Sequence, residues 1–174
     1  NGANRLRLGA GRKAAFPAVG RWSPDYYCLD GTIPRRELGH VLNRIAELSQ
    51  EYQLRVANVF HAGDGNLHPL ILYDANQPGE FHRAEEIGGK ILELCVEVGG
   101  TITGEHGVGI EKINQMCAQF QRAELQMFNA VKLAFDPSGL LNPGKVIPTA
   151  HRCAEFGKQH VHHGQIAFPE LPRF

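Results

Sequence analysis

The stretch "LRVANVFHAGDGNLHPLILY" (54–73) sets Asp64-Gly65 between two apolar, strand-like runs. An Asp-Gly pair flanked in this way is a strong hairpin signal, because both central positions of a type I′ turn need positive φ. A two-residue loop at Asp64-Gly65 pairs Gly63 with Asn66, Ala62 with Leu67, and His61 with His68. The two imidazoles then stand directly opposite each other on one face, with Cβ atoms roughly 5 Å apart. Such a pair can be a two-ligand platform for a metal ion, or two packed histidines. The hairpin alone does not choose between them.

The rest of the chain narrows the choice. At 174 residues it can bury the core of one domain, with or without a trailing segment. Its 18 basic and 18 acidic residues cancel, so no net field favours nucleic acid or an anionic membrane. No apolar run approaches the ~20 residues of a membrane span, and no secretory signal opens the chain. The expected compartment is therefore the cytoplasm, with any membrane association made through partner subunits. The sequence starts at Asn1 without a methionine and is read as a fragment of a longer protein. Cys28, Cys95, Cys117 and Cys153 never form C-x-x-C, which argues against an iron–sulfur cluster or a zinc ribbon. They are expected to be reduced thiols.

Local patterns give the elements. Residues 1–20 read as weakly helical at best, broken by Pro17 and Gly20. "SPDYYCLDGTI" (23–33) is β-leaning, with a turn signal at Asp30-Gly31. Pro34 fits a helix start, and Leu38, Val41, Leu42, Ile45 and Leu48 make one face of a helix of roughly 16 residues. After the hairpin, Phe81, Ala84, Ile87, Ile91, Leu94 and Val98 form a second stripe, stopped at Gly99-Gly100. "TITGEHGVG" (101–109) reads as a short strand entering a glycine-rich loop, followed by helices near 110–120 and 122–135. The order β-α-β-β-α predicts an α+β fold of ferredoxin-like type, an antiparallel sheet with helices on one face. Residues 1–135 form this domain, and 136–174 read as an extended C-terminal arm.

Several residues could carry chemistry. Most catalytic metal sites take three protein ligands. Glu105, in a loop that Gly104, Gly107 and Gly109 allow to approach closely, is the best third candidate beside His61 and His68. Two imidazoles and a carboxylate suit Zn²⁺, Mn²⁺ or Fe²⁺. Alternatively Glu105 is simply solvated. His106 could act as a general base or be an idle loop histidine. Asp64 is explained by the turn, and Asn66 could orient a ligand or cap the hairpin. "GEHGVG" is not the G-x-G-x-x-G dinucleotide fingerprint, so nicotinamide binding is not expected. Arg12, beside Lys13 in "AGRKAAF", could grip a small carboxylate or lie on the surface. The tail histidines His151, His160, His162 and His163, with Cys153, lack zinc-finger spacing and are read as solvated or partner-contacting.

Four segments together, "NVFHAGDGNLHPLI", "GGTITGEHGVG", "AFDPSGLLNPGKV" and "AGRKAAF" with "DYYCLDGTIPRREL", resemble the C-terminal half of FAD-linked oxidases of the vanillyl-alcohol oxidase type. The resemblance covers nearly the whole chain. Within the family the motifs match most closely the FAD-linked subunit of glycolate oxidases, with D-lactate and D-2-hydroxyglutarate dehydrogenases as neighbours. It implies FAD bound mainly by an N-terminal domain absent here, and a substrate held by a ferredoxin-like cap. By the same resemblance His61, His68 and Glu105 are metal ligands, His106 is the base that takes the 2-hydroxyl proton, and Arg12 grips the substrate carboxylate. Asn142 and Lys145, in "LNPGK", resemble the segment that folds back towards the flavin. The D-2-hydroxyglutarate relatives carry a threonine and a lysine where Phe16 and Cys28 stand here. That implies a smaller substrate, glycolate or D-lactate.

The implied activity is a flavin-dependent oxidation of a 2-hydroxy acid, which this fragment alone would not perform. The implied partners are an iron–sulfur subunit and a second flavin-type subunit. Two other readings stay open on the residues alone: a metal-dependent hydrolase in which His61, His68 and Glu105 activate water, and a non-catalytic binding module.

Overall fold

In a computed structural model, residues 2–148 are described, apart from the side chains of Ala3, Leu8, Arg12, Lys13, Ala15 and Phe16. The tail histidines and Cys153 lie outside the described residues.

The N-terminal stretch differs from expectation. Gly2–Lys13 is a helix (α1) and Ala15–Val19 a second, short one (α2). Pro17 does not break α2 because it sits in the first turn, where its missing N–H is not needed. Next come strands β1 (Asp25–Cys28) and β2 (Gly31–Thr32), then helix α3 (Leu38–Glu51) after a 3₁₀ turn at Arg35–Glu37. The hairpin strands are β3 (Val56–His61) and β4 (Asn66–Tyr73), followed by α4 (Glu80–Glu97), α5 (Ile113–Gln119) and α6 (Arg122–Phe135). Gln121 and Glu124 close a capping box at the start of α6.

β4 lies at the centre of an antiparallel sheet, with β3 on one side and β1 and β2 end to end on the other. Asp30-Gly31 is therefore not a turn. Cys28 opposes Leu70 and Gly31 opposes Leu67, so β1 and β2 keep a single register along β4. The break between them falls opposite Pro69, which has no N–H to give to the ladder. Leu29 N still donates to Pro69 O at 3.2 Å. "TITGEHGVG" contributes no full strand; Thr101 only bridges to Thr32. The resulting β-α-β-β-α arrangement is the expected α+β domain.

Strand alternation sorts the side chains. Tyr27, Leu29, Val56, Phe60, Leu67 and Ile71 face α3 and α4 and build the main core with Val41, Ile45, Leu48, Ile87 and Ile91. Leu70 and Leu72 point to the other face, where Val19 of α2 packs on them beside Cys28, Ala57 and Val59. Cys28 and Cys95 are free thiols. Cys117 is disulfide-bonded, which corrects the expectation of four reduced cysteines.

Candidate functional site

The hairpin register differs from the two-residue loop expected from Asp64-Gly65. His61 opposes Asn66, and His68 opposes Val59, across a four-residue loop of residues 62–65. Asp64 N and Gly65 N both donate to His61 O, and Gly65 takes φ +73°. Gly65 O also accepts from Ile33 N at 2.9 Å. A Cβ at 65 would lie 2.2 Å from Ile33 O, so only glycine allows this docking. The register moves by an even number of residues, which keeps both histidines on one face as diagonal neighbours. Their ring centroids are 5.4 Å apart, with planes nearly perpendicular.

That face is the one turned away from α3 and α4. His68 is buried, and its Nδ1 lies 3.1 Å from Leu29 O. A carbonyl can only accept, so Nδ1 donates to it and Nε2 is the ring nitrogen turned to the site. Pro69 makes this possible: Leu29 O gets no ladder N–H from position 69 and takes the imidazole instead. Metal-binding histidines commonly give their second N–H to a carbonyl in this way.

The 103–106 loop closes over the same face. Glu105 Oε2 lies 3.4 Å from His68 Nε2, and Glu105 Oε1 lies 3.7 Å from His61 Nε2. Donor atoms about 2.1 Å from a tetrahedrally held ion are separated by about 3.4 Å, close to the spacing of each imidazole from Glu105. The ligand atoms that all lie within 4.8 Å of one another are those of Asp30, His68, Glu105 and His106, and His61 stands outside that group. The ring of His106 stacks on His68 with centroids 5.2 Å apart. A cavity of about 400 Å³ opens here, lined by Tyr26, Cys28, His61, His68, Glu105 and His106 among others. The Cys28 thiol is pushed up to about 11, by burial first and then by nearby Asp30, so it stays neutral.

Sequence reading missed what holds this loop. Asp30, which the Asp-Gly signal places in a turn, is fully buried and faces the site. Its carboxylate accepts hydrogen bonds from Thr103 Oγ1 and from the backbone N–H groups of Gly104, Glu105 and His106. Lys112, also buried, places Nζ 3.3 Å from Asp30 Oδ2. Burial alone would raise the Asp30 pKa, but these hydrogen bonds and the Lys112 ammonium outweigh it and hold the carboxyl well below the ordinary range. Asp30 lies within 4.8 Å of the His68, Glu105 and His106 donor atoms. Its oxygens take the hydrogen bonds of the loop and so fix where Glu105 and His106 stand beside His68. Gly104 lets the loop come this close, since a Cβ there would meet Asn66 Oδ1 at 2.8 Å. No sequence signal marked Lys112; the Asp-Gly signal at 30–31 drew attention to Asp30 for the wrong reason.

The other expected residues lie elsewhere. The backbone of Arg12 is near the end of α1, and its side chain lies outside the described residues. Asn142 and Lys145 are not at the histidine cluster. They line a separate, mainly apolar groove of about 390 Å³ with Phe128, Val131 and Leu141 of α6 and the segment after it. Val146 N donates to Gly109 O at 2.8 Å, which ties that segment to the end of the glycine-rich loop.

The family profile described as "FAD linked oxidases, C-terminal domain" matches residues 1–146. The chain belongs to that family. Among relatives, it is 76% identical over 172 residues to glycolate oxidase subunit GlcD of Escherichia coli K12, covering 99% of this chain and 34% of the relative. It is 38% identical to the Bacillus subtilis protein of the same name, over 78% of this chain and 29% of that one. A D-lactate dehydrogenase of Archaeoglobus fulgidus is 36% identical over 68% of this chain and 26% of its own length. The chain thus spans about a third or less of the length of these relatives. As a C-terminal domain of FAD-linked oxidases, it sets Glu105 against His61 and His68 in a family named for its flavin.

Proposed function

We propose that the chain is the substrate-side portion of a flavin-dependent 2-hydroxy-acid dehydrogenase or oxidase that takes glycolate or D-lactate to the 2-oxo acid. One observation carries the reading: in a chain of this family, His61, His68 and Glu105 converge with His106 stacked beside them. His61 Nε2, His68 Nε2 and a Glu105 oxygen would hold a divalent ion, Zn, Mn or Fe. Bound there, the ion would supply polarisation of a chelated hydroxyl and carboxylate. FAD, held mainly by protein outside this chain, would supply the hydride acceptor.

This chain's own residues do the rest. His106 takes the 2-hydroxyl proton as general base. Arg12 holds the substrate carboxylate, and Asn142 and Lys145 face the flavin-bearing part. Cys28, a small neutral group in the cavity, offers no partner for a second substrate carboxylate, which supports a small 2-hydroxy acid. The names of two relatives, both glycolate oxidase subunits, support a multisubunit assembly. In this reading its other members are an iron–sulfur subunit and a second flavin-type subunit, and it works in the cytoplasm. No helix among the described residues is long and apolar enough to cross a membrane.

The test is anaerobic mixing of the full-length, FAD-loaded protein with glycolate and with D-lactate, following the flavin absorbance. Rapid bleaching by one of them, slowed about 10²–10⁴-fold in His106→Asn at unchanged metal content, is the expected result. Bleaching by neither substrate, or bleaching at full rate in His106→Asn, would contradict the reading.

A further inference from the structure

On the helix-bearing side of the sheet, away from the histidines, a second cavity of about 440 Å³ lies between α4 and α5. Four glutamates, Glu85, Glu86, Glu93 and Glu111, line it against one lysine, Lys90. Carboxylates alone are common on surfaces, and two of these also face His82. The wall holds something less common. Gln115 is only 6% exposed, lines the cavity, and makes no side-chain hydrogen bond among the described residues. Its neighbour Asn114 lines the same cavity with Oδ1 buried and unpartnered. A side chain as buried as Gln115 seldom goes without a hydrogen bond, and here its amide is left to whatever occupies the cavity.

The chemistry of that ligand follows from the lining. Carboxylates and amide oxygens are acceptors, so the ligand is a donor and positively charged. The chain already supplies one such group: Lys90 Nζ sits 5.0 Å from the centroid of Tyr52, a cation over an aromatic face in the same cavity. A metal ion does not suit. Among the described residues, ligand atoms converge within 4.8 Å only at the Asp30, His68, Glu105 and His106 cluster. The acidic groups here are spread out and match donors spaced along an extended molecule. Gly89 of α4 keeps the space open, since a Cβ there would lie 2.9 Å from Gln115 Nε2.

We infer that this cavity binds a small organic cation bearing several ammonium or guanidinium groups, with the glutamates taking its charge and the Gln115 amide taking an N–H group. The volume is that of a small-molecule site. The same chemistry is offered by a free polyamine or by an arginine side chain presented by a partner.

Calorimetric titration of the 174-residue chain with spermidine, and separately with N-acetyl-arginine amide, tests this. Saturable one-to-one binding of either probe is expected, weakened about tenfold or more in Glu111→Gln and in Gly89→Ala. Gly89→Ala is the variant safe for folding, because alanine favours a helix interior and the crowded atom ends a flexible side chain. Glu97→Gln, exposed on the same helix and outside the cavity, should bind like the parent. Saturation by spermidine alone marks a free polyamine site, and saturation by the arginine amide alone marks a partner's side chain. Non-saturable heats with both probes, or equal loss in Glu97→Gln, would overturn the inference.

Discussion

A carboxylate with no exposed surface survives at position 30 because five donors surround it. Asp30 gathers three consecutive backbone N–H groups, a threonine hydroxyl and the Lys112 ammonium, and so sets the direction in which Glu105 and His106 leave the loop. Removing its charge strands a buried lysine. Asp30→Asn should therefore cost about 3–5 kcal/mol in urea unfolding of the chain, and adding Lys112→Met should recover much of it. The pH dependence has a definite sign. The folded Asp30 carboxyl is held below the unfolded value of ~3.9, so its stabilisation is complete above that pH and lost as the pH falls towards the folded value. The parent chain should lose stability as acid is added through this range, and Asp30→Asn should show a flatter profile there. A parent profile as flat as the variant's would contradict this account of the loop. None of it was legible in the sequence, because a buried ion pair between residues so far apart along the chain leaves no local pattern.

At the scale of elements, β4 was legible and its register was not. The run "NLHPLILY" reads as a strand because it is apolar and is buried on both faces. The loop before it was misread because Gly65 is drawn onto Ile33, a contact that local turn preferences do not contain. The histidines kept their shared face only because the change in register was even. Pro69 is the informative residue of the strand: by withholding an N–H it frees Leu29 O for His68 Nδ1. Pro69→Ala returns that N–H to the ladder, where it competes for the carbonyl and releases the imidazole. Metal affinity should fall about 10–100-fold with little change in stability, as titration of the variant against the parent would read. Unchanged affinity would mean that the carbonyl does not orient the ring.

At the scale of the whole molecule, the sheet with its α3 and α4 layer followed from periodicity, and the family was legible because its motifs are the site itself. What the sequence could not convey was which surfaces stay open. α6 buries only Leu125 and exposes Met127, Phe128, Val131, Leu133 and Phe135, next to exposed Leu140 and Leu141. Exposed apolar surface of this extent is adhesive in water. The isolated chain should self-associate with rising concentration in sedimentation velocity, and Met127→Lys with Leu133→Lys should hold it monomeric. The central claim, a divalent-metal centre on the face of the sheet turned away from α3 and α4, is tested most directly by elemental mass spectrometry. The measurement compares the purified chain, reconstituted with Zn, Mn or Fe and desalted, with its His61→Ala and His68→Ala variants. The account predicts close to one equivalent of metal in the parent and loss in both variants. No retained metal in the parent, or equal retention in all three, would contradict it.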